Sequence, residues 1–349
     1  MKLKHILDNP QFSRVAIPTL NYSRMALYMI ESWPVRAARR ALGVGQPFDP
    51  PKQSQKVLLA EIRKMVSEDT QNIKNGIYPP SLLLPEDPYL HLKRYAALLK
   101  DSVKAAFRIK QNKTKSFSSK SKKLLKDLPD YYARNFHFQT DGYLSEDSAE
   151  LYAHQTEILF FGTIALMRRL LMAPLLKHLQ GKSNLQVLEL GSGAGEATEI
   201  LLRSVKDVDI TCVDLSKPYI QFAKNKLANF KNLNFIHGDA TNLNLKQKFD
   251  VVFSAYCLHE MPKAVRVKLI NSANKHLKPG GFLILMDSLQ QHDRIEFDWA
   301  LKQFPKDFHE PFYTDYIKTP LKSLLGKKFS LISEEHRFLS KMIMAQKIK

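Results

Sequence analysis

The sequence predicts an α/β fold: a doubly wound, mostly parallel seven-stranded sheet joined to an α-helical N-terminal domain. Three observations carry this. Residues 181–349 alternate short apolar runs with helical spacing, the pattern of successive βαβ units. The first of these units is interrupted by a glycine-rich turn, Glu189-Leu190-Gly191-Ser192-Gly193-Ala194-Gly195-Glu196. Residues 14–110 instead show the apolar spacing of helices.

At 349 residues the chain suits two domains, and an apolar fraction of 44% supports a real core. No run of about 20 uncharged apolar residues stands in it, so no transmembrane helix is expected. The first ten residues lack the apolar centre of a signal peptide. Cys212 and Cys257 lie inside apolar runs, which suits buried thiols and a reducing cytoplasm. The formal net charge is +19, and it is spread along the chain. Residues 1–150 hold 25 Lys and Arg against 15 Asp and Glu, and the remainder 28 against 19. Such a balance suits an anionic membrane surface, RNA or an acidic substrate, or only solubility.

Residues 1–128 read as a basic helical region. Leu20, Ala26, Leu27, Met29, Ile30 and Trp33 give one helix over 14–42 a wide apolar face, followed by Arg36, Arg39 and Arg40. That face either packs on the core or lies in a membrane interface. Gly and Pro make residues 43–51 a linker. Helices resume over 53–74 and 88–110. Seven lysines and no acid fall between Lys110 and Lys126, a solvated loop or a contact for phosphates and anionic head groups. Residues 129–180 read as a connecting or lid segment. Its first part, with His137, Gln139 and Asp141 among aromatics around Gly142, suits a pocket wall, and one long helix follows from about Ser148 to His178.

In the 181–349 core, the run Leu185 to Leu190 is a buried strand and Glu196–Arg203 a helix. Three glycines between them allow close approach of a ligand to the backbone, at the carboxyl end of a strand where open α/β sheets bind nucleotides. The sixth position of a dinucleotide fingerprint is Glu196, not glycine, and no Gly-Lys-Ser/Thr follows. A carboxylate at Glu189 suits a cationic ligand better than a pyrophosphate. Residues 209–213 form a second strand ending at Asp214, an acid placed to accept from both ribose hydroxyls, with Leu215 beside the base. Helix 217–229, strand 233–237 and Gly238-Asp239-Ala240 follow. Residues 249–255 make a fourth, continuous apolar strand. Tyr256-Cys257-Leu258-His259-Glu260-Met261-Pro262 leads from it to helix 263–276. Lys278-Pro279-Gly280-Gly281 stops that helix before strand 282–287, and strands 329–333 and 341–347 pair antiparallel at the edge.

This ordered set resembles the class I S-adenosylmethionine (SAM)-dependent methyltransferases over residues 181–349, with a Rossmann-like sheet. The resemblance implies SAM as cofactor. Glu189 and the turn with Gly191, Ser192, Gly193 and Gly195 would hold its amino-acid end. Asp214 would take the ribose, and Leu215, Asp239 and Ala240 the adenine. Segments before the first strand commonly form a lid in such proteins, so Tyr152, His154 and Arg168 are lid candidates. His259 and Glu260 are the candidate general bases, and Tyr256 the residue that packs on cofactor or acceptor. His259 could instead cap the following helix. His137 and His292 are further histidines of interest. No spacing of His, Cys or carboxylates suggests a metal site. The loop Leu258-His259-Glu260-Met261-Pro262 looks more like members acting on small molecules, lipids or quinones, since no Asn/Asp-Pro-Pro-Tyr/Phe motif is present. The expected setting is cytoplasmic, with peripheral contact to an anionic membrane. RNA methylation through the 110–126 lysines and a non-catalytic SAM-binding protein are the alternatives.

Overall fold

The computed structural model describes residues 10–44 and 51–348. The expected linker falls mainly on residues 45–50, outside them. Seven strands form one sheet in the order β3-β2-β1-β4-β5-β7-β6. The strands are β1 (Leu185–Leu190), β2 (Val208–Asp214), β3 (Leu233–His237), β4 (Phe249–Ala255), β5 (Leu277–Ser288), β6 (Phe329–Arg337) and β7 (Ser340–Lys347). β1 through β5 pair in parallel, and β7 joins β5 and β6 antiparallel. Strand order reverses between β1 and β4, and the carboxyl ends there frame a crevice. β6 runs four residues beyond the expected edge strand. β5 begins at once after its preceding helix, so the Pro-Gly-Gly stop lies inside a strand irregularity between Phe249 and Val251 of its partner.

Among the described residues, six α-helices precede the sheet: α1 (Pro10–Ala41), α2 (Lys52–Lys74), α3 (Pro88–Lys110), the single turn α4 (Ser119–Lys122), α5 (Glu146–Leu159) and α6 (Ile164–Leu179). The sequence predicts one helix across α5 and α6, because apolar residues continue through the join. The structure breaks it by 92°. Gly162 makes the break: its φ is +76°, and a Cβ on it would sit 2.7 Å from Met25 Cα of α1. No single described helix is long and apolar enough to cross a membrane.

α6 is buried on nearly every face, carrying Arg168 and Arg169 inside with its leucines. The Arg169 guanidinium is paired in a fork with Asp69 of α2, donating from Nε at 3.0 Å and Nη2 at 2.9 Å. Asn21 of α1 and Tyr78 donate to the same carboxylate. A charge so buried is tolerable only when satisfied on all sides. This one ties α1, α2 and α6 together. The same helices share the sheet's apolar core: Ile17, Ile73 and Leu171 cluster with Val187, Ile210 and Val251.

The lysine-rich stretch after α3 is tied down through its backbone. Asn135 binds both polar groups of Ser116, accepting from its N–H at 2.6 Å and donating to its C=O at 3.0 Å, and Asp141 accepts from the Ser118 N–H at 2.6 Å. The seven lysines all point to solvent. In the sheet half, α7 (Glu196–Ser204), α8 (Lys217–Lys226) and α9 (Lys263–His276) are the crossovers. α10 (Asp298–Asp307) and α11 (Tyr313–Lys318) follow β5.

Candidate active site

The crevice at the β1/β4 reversal holds two adjoining clefts that share Tyr132, Gly191, Asp214, Cys257 and Glu260 in their walls. The larger takes in Glu189, Ser192, Gly193, Tyr152, Arg168 and Tyr256. The smaller takes in Leu215, Asp239, Ala240, Thr241, Tyr131 and Met261. Eight of the nine residues expected to hold a cofactor therefore line one or other of these two clefts. Gly195 does not. Its φ of +82° forms the N-cap of α7, and a Cβ there would meet Leu227 Cδ1 at 2.9 Å, so it is needed for packing.

The glycine turn is shaped by close approach. Gly191 has a φ of +74°, and a Cβ on it would lie 2.5 Å from Cys257 Sγ. Its N–H and that of Ser192 donate to the Val213 carbonyl at the end of β2. The Gly193 N–H donates to Asp214 Oδ2 at 2.8 Å, and the Ser216 N–H donates to Oδ1 at 2.8 Å. Two amides thus fix the Asp214 carboxylate, while burial pushes its pKa up to about 6 against their pull. Glu189 is more deeply buried. Desolvation pushes it up to about 8, although Thr198 donates a hydrogen bond to it. Asp239 accepts from the Thr241 N–H at 2.8 Å and caps the turn that presents Ala240.

The loop after β4 is organised by an acid that the sequence reading gave no role. Asp287, at the carboxyl end of β5, accepts from the Leu258 and His259 N–H groups through Oδ2 at 2.8 and 3.2 Å, and pairs with His259 Nδ1 through Oδ1 at 2.6 Å. His259 is not a helix cap: α9 begins at Lys263 with Pro262 as its N-cap residue and no side-chain cap hydrogen bond. Burial alone would lower its pKa, but Asp287, Glu260 and Glu310 raise it to about 10. The pairing with Asp287 thus favours the protonated imidazole. Tyr256 has a φ of +53°, donates to Ser340 Oγ at 2.9 Å, and lies under the Arg168 guanidinium at 5.3 Å.

Tyr131, Tyr132, Tyr143 and Tyr152, from the segment before β1, border the clefts or pack at their edge. Tyr143 donates to Glu260 and accepts from Ser216 Oγ through its carbonyl. Of the lid candidates, Tyr152 and Arg168 reach the larger cleft. His154 does not: it is paired with Glu31 of α1 at 2.9 Å among Tyr28, His91 and Tyr95. His292 is 81% exposed and away from the clefts. His137 stands beside Glu260 and Glu310, at 3.7 and 3.3 Å. Asp287 carried the same signal as Asp214, an acid ending a buried apolar strand. Glu310 carried none.

The glycine turn and the loop after β4 that frame this crevice lie within a methyltransferase domain. Residues 187–281 match the family model described as a methyltransferase domain. The chain is similar to malonyl-[acyl-carrier protein] O-methyltransferase 2 of Ilyobacter polytropus, 28% identical over 43% of this chain and 56% of that one. It is similar to demethylmenaquinone methyltransferase of Staphylococcus aureus, 25% identical over 47% and 62%. It is also similar to fatty-acid O-methyltransferase of Mycolicibacterium smegmatis, 30% identical over 34% and 43%. The chain spans about half the length of these relatives.

Proposed function

We propose that the protein transfers the methyl group of SAM to a small-molecule, lipid- or quinone-like acceptor. The carrying observation is the pair of adjoining clefts. One offers an adenosine-sized wall of Asp214, Leu215, Asp239 and Ala240. The other offers a buried carboxyl group and an arginine, Glu189 and Arg168, for the charged amino-acid end. Asp214 accepts from the ribose hydroxyls, Asp239 and the Ala240 amide hold the adenine, and the turn from Gly191 to Gly193 follows the chain between them. The sulfonium then falls near the shared residues, beside Glu260. A carboxylate there favours the cation and aligns the acceptor for in-line displacement, in which the S–CH3 bond breaks as the acceptor–CH3 bond forms.

Of the two candidate bases, Glu260 borders both clefts, whereas His259 is engaged through Nδ1 by Asp287. That pairing favours the protonated imidazole, which serves to hold the loop and its charge. An acceptor that is already a carboxylate needs no base at all. The relatives support the acceptor class, being named for malonyl-[acyl-carrier protein], demethylmenaquinone and a fatty acid. The proposed setting is cytoplasmic, with the exposed Ile30 and Trp33 of α1 and Tyr89 and Leu92 of α3 resting on an anionic membrane. Methyl-labelled SAM incubated with fractionated cell extract tests the reading. Label entering the lipid or small-molecule fraction supports it. Label entering only RNA, or SAM binding with no transfer to any fraction, overturns it.

A further inference from the structure

Among the described residues, three clusters of carboxylates and imidazoles bring ligand-capable atoms within 4.8 Å of one another. Two have their charges satisfied within the protein. In the first, Glu31 meets His91 Nε2 at 2.6 Å and His154 Nε2 at 2.9 Å, both direct hydrogen bonds. In the second, the Lys341 ammonium sits 2.8 Å from Asp293 and 2.7 Å from Glu334, and is itself the cation.

The third cluster is different. His137 Nε2, Glu260 Oε1 and Glu310 Oε1 come from three separate segments: the turn before α5, the loop after β4 and the loop before α11. His137 Nε2 lies 3.3 Å from Glu310 and 3.7 Å from Glu260, and neither contact makes a hydrogen bond of good geometry. Donors held at about 2.0–2.2 Å around a tetrahedral ion stand roughly 3.4 Å apart, so this is the spacing of ligands around a shared centre. Glu310 is fully buried, yet neither of its oxygens accepts a hydrogen bond. Its one ion pair among the described residues, with His137 at 3.3 Å, leaves both oxygens without a hydrogen bond, and a cation held between the three groups would remove the cost of that burial.

The surrounding groups are arranged as they are around metal ligands. Tyr143 Oη donates to Glu260. His259, with Nδ1 engaged by Asp287, turns Nε2 toward Glu260 at 3.9 Å. His137 is held at a φ of +54°, a conformation that a side chain of its kind rarely adopts.

We propose that His137, Glu260 and Glu310 bind a divalent first-row transition-metal ion at the acceptor end of the crevice. A mixed imidazole and carboxylate set suits zinc, manganese or iron(II). Three protein ligands leave a position open for an oxygen of the acceptor. The ion would hold that oxygen beside the sulfonium and lower the pKa of a hydroxyl bound to it.

The test uses the full chain, stripped with chelator and titrated with Co²⁺ by absorbance and with Zn²⁺ by calorimetry, without SAM or acceptor. One equivalent is expected for the wild type. Affinity should fall at least about 100-fold in Glu310→Gln and in His137→Ala, while Glu31→Gln retains it. Circular dichroism and SAM calorimetry on each variant separate loss of the site from loss of the fold. Binding below about 0.1 equivalent in the wild type overturns the proposal. So does a Glu310→Gln or His137→Ala protein, folded and binding SAM, that takes up metal as the wild type does. A protein that binds the metal but no SAM supports this site and sinks the methyl-transfer reading, so the two fail separately.

Discussion

Asp287 and His259 form one unit: a single carboxylate pairs with the imidazole at 2.6 Å and caps the turn that carries it through two backbone amides. It is fully buried, and its work is positional.

The first prediction concerns that pair. Asp287→Asn keeps the size but removes the charge, so His259 loses its hold on the proton and the turn loses a charge-assisted cap. Methyl transfer should fall about 100-fold, roughly 3 kcal/mol, as expected when two or three bonds to a charged group are weakened. SAM affinity by calorimetry should stay within about threefold. A comparable loss of SAM binding would show that Asp287 supports the whole crevice rather than the acceptor side.

Asp214 lines both clefts and is the residue proposed to take the ribose of the cofactor. Removing its carboxylate in Asp214→Ala deletes the acceptors for the ribose and frees the Gly193 and Ser216 amides. SAM affinity should drop about 100-fold or more. Wild-type affinity in that variant, read by calorimetry, would sink the assignment.

Glu189 predicts a pH dependence. Its folded-state pKa of about 8 lies above the ordinary carboxylate value, with burial as the leading cause. The stability that this protonated carboxyl contributes is fully present below about pH 4.5 and is lost as pH rises toward 8. Ligand-free Glu189→Gln should escape that loss, so its Tm should exceed the wild type's by about 3 °C at pH 8 and match it near pH 4.5. Differential scanning fluorimetry across that range is sufficient. Parallel curves would remove the role of burial at Glu189.

Trp33 is 74% exposed and Ile30 69% on α1. If this face rests on a membrane, the double change Ile30→Glu, Trp33→Glu should reduce flotation with vesicles containing about 30% anionic lipid at least fivefold, with the fold and SAM binding intact. Equal flotation of both proteins would refute membrane contact through this face.

The sheet half was legible because its signals are local. A buried strand, a glycine turn and an acid at each strand end occupy a few consecutive residues, and eight of the nine cofactor positions read that way border the clefts. The elbow between α5 and α6 was misread because apolar spacing runs across it. Gly162 marked the break, but the reason for it is the approach of Met25 from α1, more than a hundred residues away. The Glu310 cluster was illegible for the same kind of reason. Its members stand at 137, 260 and 310, and no spacing rule joins them. The role of His259 was illegible too: whether it is a base or a held cation depends on Asp287, which lies 28 residues further on.

Glu260 borders the cofactor clefts and also supplies an oxygen to the His137–Glu310 cluster. A group shared by two ligands couples their equilibria. Whatever factor a bound ion imposes on the affinity for SAM, SAM must impose on the affinity for the ion. The two occupants of this crevice are thereby bound in a thermodynamic cycle whose sign is set by one carboxylate.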